Sequence, residues 1–252
     1  MAEFKGIDVS KWQGTIDWAK VKKAGIQFAM IRSSYGSEKG QEDTKLAANV
    51  AGCEANDIPY GFYHYSYATS VDGAKKEAEY FLSVIKNYSP TMPVAFDLED
   101  SSQSGLSKAT LTAMVKAFCD VVEKAGYYVI LYSNKSWLDG KYNMSELSAY
   151  DVWLAQWGSS PTYSGSFGMW QYSATGSVSG ITGDVDMDIA YKDYPSIIKS
   201  YGLNGQKKTS EQVVNKTEST TELATLKTQL AASEEKLAKV KTLVNQLSEL
   251  VK

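Results

Sequence analysis

Pro93-Val94-Ala95-Phe96-Asp97-Leu98-Glu99-Asp100 is the stretch around which the chain is organised. An apolar run reads as a buried strand and ends in three acids within four positions. Side chains alternate faces along a strand, so Asp97 and Glu99 share one side while Leu98 points away. Two like charges on one face of a buried strand are costly, and burial with mutual repulsion raises at least one pKa. A carboxylic acid still protonated near neutrality, beside a carboxylate that is not, is what cleavage of a glycosidic bond requires. Asp100-Ser101-Ser102 also reads as a turn and N-cap, which accounts for Asp100 but not for the pair before it.

Outward from this strand, residues 6–201 alternate strand-like and helix-like segments. Strands are expected at Gly6–Ser10, Phe28–Arg32, Tyr60–Tyr67 and Val94–Glu99, and again at Tyr128–Tyr132. Helices fall between them, closed by Gly25 and Gly126. Asp151–Trp157, Gly168–Ser173 and Val185–Tyr191 then read as strands joined by Gly/Ser-rich loops with little helix. Repeated βα units argue a parallel sheet, and eight strands in one domain argue an irregular, TIM-like (β/α) barrel with degenerate late helices. Active sites of such barrels lie at the C-terminal strand ends, where Asp8, Glu99 and Tyr132 fall. Asp186 and Asp188 share one face of the last strand. A barrel closes first strand on last, so Asp8 and Asp186 are expected as neighbours.

Composition narrows the function. The 252 residues are 43% hydrophobic with a net charge of -3, which suits a globular core and argues against nucleic-acid binding. Cys53 and Cys119 sit in expected helices among apolar neighbours and read as buried thiols. No metal-ligand spacing is present, so no cofactor is expected, and no apolar run approaches a membrane span. The N-terminus shows no signal-peptide pattern. His64 lies between Tyr63 and Tyr65 and reads as a buried structural histidine.

Residues 1–201 form the expected barrel, 202–222 a polar linker, and 223–252 a coiled-coil helix. Leu223, Leu226, Leu230, Leu237, Val240, Val244, Leu247 and Val251 follow 3,4 spacing over about four heptads. The expected role is homo-oligomerisation; a helix folded back on the barrel is the alternative.

The sequence resembles the glycoside hydrolase family 25 muramidases. The resemblance rests on Gly6-Ile7-Asp8-Val9-Ser10 with Trp12-Gln13-Gly14, Arg32-Ser33-Ser34-Tyr35-Gly36, Gly61-Phe62-Tyr63-His64-Tyr65 and Asp97-Leu98-Glu99. It continues through Trp153-Leu154-Ala155-Gln156-Trp157, Trp170-Gln171-Tyr172-Ser173 and Val185-Asp186-Met187-Asp188. It implies a barrel that cleaves the β-1,4 bond between N-acetylmuramic acid and N-acetylglucosamine. By position, Glu99 is the general acid and Asp97 serves the substrate's 2-acetamido group. Asp8 and Asp186 shape the field and hold sugar hydroxyls. Tyr63, Tyr65, Tyr132, Trp153 and Gln171 are the expected substrate contacts. One departure is Asp188, where the family usually has Asn. The implied protein is an endolysin of phage or prophage type, held in the bacterial cytoplasm until lysis, with peptidoglycan as its partner. A chitinase-like hexosaminidase and a non-catalytic wall-binding barrel are the rivals. Retaining and inverting chemistry both fit the spacing of Asp97 and Glu99.

Overall fold

The computed structural model describes residues 3–208. Eight strands close into one barrel in chain order: β1 (Phe4–Val9), β2 (Phe28–Tyr35), β3 (Tyr60–Tyr65), β4 (Val94–Asp97), β5 (Val129–Asn134), β6 (Asp151–Ala155), β7 (Met169–Gly176) and β8 (Val185–Ala190). Among the described residues, six helices accompany them: α1 (Trp18–Lys23), α2 (Leu46–Ala55), α3 (Val71–Ile85), α4 (Lys108–Lys124), α5 (Lys135–Gly140) and α6 (Tyr194–Tyr201). As expected, the helical layer thins late. Only the short α5 and a 3-10 turn separate β5 from β6, and no helix lies between β6 and β7.

One expectation is corrected. Strands β1 to β7 run parallel, but β8 is antiparallel to both β7 and β1. The physical reason is the connection. Residues 177–184 hold no helix, and a parallel partner would need a crossover longer than this loop. The reversal decides the site. Asp186, second residue of β8, reaches the same mouth as Asp8 near the end of β1, and the two pair directly in register.

Alternation along β4 explains why its acid faces inward. Val94 and Phe96 pack outward beneath the helices, with Phe96 stacked on Phe118 of α4 at 4.0 Å between ring centroids. Ala95 faces the interior with Met30, Ile130 and Trp153, and Asp97 follows on that side. The far end of the barrel is filled rather than open. An added Cβ at Gly6 would come within 2.2 Å of the Phe28 ring, so glycine there makes room for the plug. Helices α3 and α4 start where Ser70 and Ser107 accept the N–H groups of Gly73 and Thr110.

The packed chain runs past α6. Asn204 is buried, accepts the Tyr128 N–H at 2.8 Å and donates to the Met92 carbonyl at 2.9 Å. Gln206 donates to the Ser89 carbonyl. The first five residues of the expected linker therefore close the base of the barrel. The rest of that linker from residue 209, and the expected coiled coil, lie outside the described residues. Cys53 and Cys119 are buried free thiols. Among the described residues, no helix is long and apolar enough to cross a membrane.

Candidate active site

A cleft of about 490 Å³ opens at the mouth where β1 to β7 end and β8 begins. Asp8, Asp97, Glu99 and Asp186 all line it, so the four expected acids come together.

Asp97 ends β4 and is 5% exposed. Burial raises its pKa well above the usual carboxylate range, with Glu99 adding to the rise and Arg32 opposing it. Its Oδ1 takes no hydrogen bond from any of the described residues. Arg32 faces it from β2, held in place because Asp43 accepts its Nε–H at 2.8 Å and pairs with Nη2 at 2.7 Å.

Glu99 lies two residues beyond Asp97, where the strand has ended. Its pKa is raised by burial first, then by the Asp186 charge, while a hydrogen bond with the Asn134 side chain pulls it down. Asn134 can serve there because its Oδ1 accepts the Trp137 N–H at 3.0 Å as the cap of α5, leaving its amide N–H groups free. Asp100 does what its turn pattern suggested. Its Oδ1 accepts from the Ser102 N–H and hydroxyl, and these bonds hold its pKa below the usual value.

On the opposite wall, Asp8 Oδ2 accepts from Gln171 Nε2 at 2.8 Å. Gln171 Oε1 in turn accepts from Tyr132 Oη–H at 3.1 Å and Trp157 Nε1–H at 3.0 Å. An indole N–H can only donate, so these contacts fix the amide orientation of Gln171. Burial is the largest cause raising the pKa of Asp8, followed by the charges of Asp188 and Asp186. Asp186 is raised chiefly by burial.

The expected substrate contacts fall into two groups. Tyr63, Tyr65, Tyr132 and Gln171 line the cleft, with Tyr65 donating its hydroxyl to Asp100 at 3.2 Å. Trp153 also borders it but is only 1% exposed, wedged edge-on against Tyr132 at 4.7 Å and donating Nε1–H to Asp188 at 2.8 Å. It is a floor residue with no open face for a sugar ring. The residues that do present indole faces are Trp12 and Trp157 at the rim, 75% and 66% exposed. The sequence offers Trp157, with Trp153 and Tyr132, as a face on which a sugar ring could stack, and gives no such reading for Trp12. Alternation would put Trp157 on the same face as Trp153, but β6 ends at Ala155, so the alternation stops short of it. Arg32 and Asn134 were also missed as site residues. Asn134 is the last residue of β5, while Arg32 sits in the middle of β2, a lone cation after an apolar run, and that was its available signal.

His64 lies outside the cleft, between sheet and helices. Its Nδ1 is 2.9 Å from Ser34 Oγ and its ring stacks on Phe118. Burial lowers its pKa against an opposing pull from Glu77, so it is the structural histidine expected. Among the described residues, no group of three or more His, Cys, Asp or Glu side chains is arranged to hold a metal ion.

The model of the glycosyl hydrolases family 25 matches residues 7–181. Lysozyme M1 of Streptomyces globisporus is 34% identical over 198 residues, 72% of this chain and 66% of that protein. The autolytic lysozyme of Clostridium acetobutylicum is 31% identical over 188 residues, 73% of this chain and 55% of that one. Among solved structures, the CTP1L endolysin superposes with a TM-score of 0.70 at 27% identity, over 78% of this chain and 70% of that chain. The chain thus spans between about half and two thirds of the length of these two lysozymes.

Proposed function

The chain belongs to the glycosyl hydrolases family 25, and from that premise we propose that it is a muramidase. It cleaves the β-1,4 bond between N-acetylmuramic acid and N-acetylglucosamine in bacterial peptidoglycan. The observation that carries this reading is the convergence of Asp97 and Glu99 with Asp8 and Asp186 at one mouth. Its lysozyme relatives supply the substrate class.

Glu99 is the proton donor. Burial and the facing Asp186 charge keep its proton on at pH values where a free glutamate is ionised. Asp97 offers Oδ1, which no protein donor occupies, to the N–H of the 2-acetamido group. As the leaving oxygen takes the Glu99 proton, positive charge develops at the sugar ring, and the surrounding carboxyl groups stabilise it. Asp8, steadied by Gln171, and Asp186 accept from sugar hydroxyls. Tyr63, Tyr65 and Tyr132 shape the cleft, and the rim indoles of Trp12 and Trp157 suit the flat faces of pyranose rings.

Digestion of purified peptidoglycan, with mass spectrometry of the new reducing sugar, tests the reading. Muramic acid at the new end is expected; glucosamine there would overturn it, and no release at all would favour a non-catalytic wall binder.

Likeness to the CTP1L endolysin supports a lysin of phage or prophage type, made in the host bacterium and acting on its wall. For the tail, the reading remains a polar linker to residue 222 and a self-associating helix over 223–252. Its support is the 3,4 spacing of Leu223 through Val251. Several clefts on one particle would raise residence on the wall through effective concentration. The full chain is expected to sediment as an oligomer and a chain ending at Lys208 as a monomer. A monomeric full chain at micromolar concentration would end the oligomer reading.

A further inference from the structure

Behind Asp8 stands an acid for which the proposed mechanism has no use. Asp188 is fully buried on the inward face of β8, two residues from Asp186 and directly across from Gly6 of β1. Its Oδ1 accepts from Trp153 Nε1–H. Its Oδ2 is buried and receives no donor from any of the described residues. The acid diagonal to it across the β1–β8 pairing, on the same inward face, is Asp8, and each carboxyl shifts the pKa of the other. Asp8 has its Oδ2 committed to Gln171.

The donors around this pair permit few assignments. Trp153 and Gln171 each present N–H to the outer side of one carboxyl. That leaves the buried Asp188 Oδ2 without a donor, and the neighbouring Asp8 carboxyl offers it only acceptor oxygens unless one of the two groups carries a proton. As two carboxylates they repel, and the fully buried Asp188 Oδ2 is left without a partner. One proton between them removes the repulsion and makes a charge-assisted hydrogen bond of the stronger kind.

We propose that Asp8 and Asp188 hold one proton between them, and that Asp188 is thereby a positioning residue for the reaction. It fixes the Asp8 carboxyl against the β7 side of the cleft and keeps the pair at a single negative charge. This extends the muramidase reading by assigning the protonation state of one wall of the cleft, and its kinetic consequence rests on that reading. Without the shared proton, Asp8, Asp186 and Asp188 would present three negative charges to Glu99; with it they present two. The charged and titratable groups facing the pair are Asp186 on β8, Tyr172 on β7, Tyr63 on β3 and Tyr132 on β5. Asp186 is the one that adds negative charge to both partners. Burial is the largest cause raising both carboxyl pKa values, consistent with the proton being retained.

Asparagine at 188 separates proton from charge. The variant Asp188→Asn can still accept from Trp153 and can donate an amide N–H to Asp8, so Asp8 ionises alone and nothing at 188 titrates. The test is a carboxyl ¹³C NMR titration of the full chain, with each aspartate carboxyl assigned through its own β protons. This readout does not depend on activity, so a failed muramidase assignment leaves it interpretable. In the unaltered protein the Asp8 and Asp188 carbons should move together in the same two steps, the upper one at least about one pH unit above the usual carboxylate range. In Asp188→Asn the upper step should vanish, with Asp8 titrating lower. Asp8→Asn should do the reciprocal to Asp188, and it carries the comparison if Asp188→Asn does not fold. On peptidoglycan, Asp188→Asn should also shift the alkaline limb of kcat/KM to lower pH, because the added negative charge that appears when the pair loses its proton no longer holds the Glu99 proton on. The proposal is overturned if the two carbons titrate independently in the unaltered protein, or if both lie in the usual range.

Discussion

Two buried polar regions lie on either side of β3 and β4, and they are built on opposite rules. Outside the sheet, Glu77 of α3 is 3% exposed, and both its oxygens are taken: Oε2 accepts from Ser66 Oγ–H and Oε1 from the Tyr67 N–H. Gln103 continues that network, donating to the carbonyls of Ser66 and Ala68 and accepting the Asp100 N–H. Inside the mouth, Asp97 is 5% exposed, yet its Oδ1 has no partner. Equal burial, unequal satisfaction: the outer carboxyl ties the loop after β3 to α3, and the inner one is left with capacity for a ligand. His64 Nε2, 3.6 Å from Glu77, is the one loose atom of the outer set. Burial of an acid therefore says little about its use; the inventory of its partners says more.

The largest expected effect separates the two regions by rate. Glu99→Gln keeps the shape and removes the donated proton, so turnover on peptidoglycan should fall by about 100-fold or more. Its thermal stability should be unchanged, or higher at alkaline pH, since the amide cannot ionise in the crowded acidic cleft. Near-normal lysis by the folded variant would dissolve the distinction between the inner and outer acids.

Glu77→Ala should do the reverse. It strands the Ser66 hydroxyl and the Tyr67 N–H, at about 1–3 kcal/mol for each buried group left unpaired. Chemical denaturation should show a loss of about 2–6 kcal/mol. A loss below about 0.5 kcal/mol, the range of ordinary surface changes, would show that the outer network is not structural in the sense drawn here.

The third and smallest effect is a shift of pH dependence. Glu99 has a folded pKa raised above its unfolded value by burial and by Asp186. Activity needs the protonated form, so it should decline as pH rises through the folded pKa. The same sign governs stability: the contribution of this group is complete below the unfolded carboxylate pKa and is lost as pH rises through the folded one. Asp186→Asn removes the neighbouring charge and should move the alkaline limb of activity to lower pH. A limb that stays in place would uncouple Asp186 from the donor.

Much of this contrast was legible in the sequence. The alternation in Val94–Asp97 placed Asp97 inward correctly, because period-2 patterning records which face a residue takes. The pairing of Asp8 with Asp186 followed from closing first strand on last. What periodicity does not record is strand direction, since reversing β8 leaves its alternation unchanged. The short helix-free loop before it was the only hint. Nor does it record depth: Trp153 and Trp157 share a parity, but one lies mid-strand on the floor and the other beyond the strand end at the rim. Asn204 gave no signal at all, because a single polar residue buried after a helix looks like any linker asparagine. The partners of Glu77 were equally hidden, being set by tertiary contacts of Ser66 and Tyr67.

The reversed last strand also bears on how the cleft comes into being in time. β7 and β8 are neighbours in sequence and join through a short loop, so that ribbon can form early. Its union with β1 brings together Asp8 and Asp186, separated by 186 − 8 = 178 residues of chain. Contacts of such long range are made late, after the loop entropy of nearly the whole barrel has been met. The wall holding Asp8, Asp186 and Asp188 therefore has no existence in a half-folded chain, even one in which β4 already displays Asp97 and Glu99. Competence for chemistry arrives with the final closure of the ring, and a refolding population should regain activity only in its slowest native-forming phase.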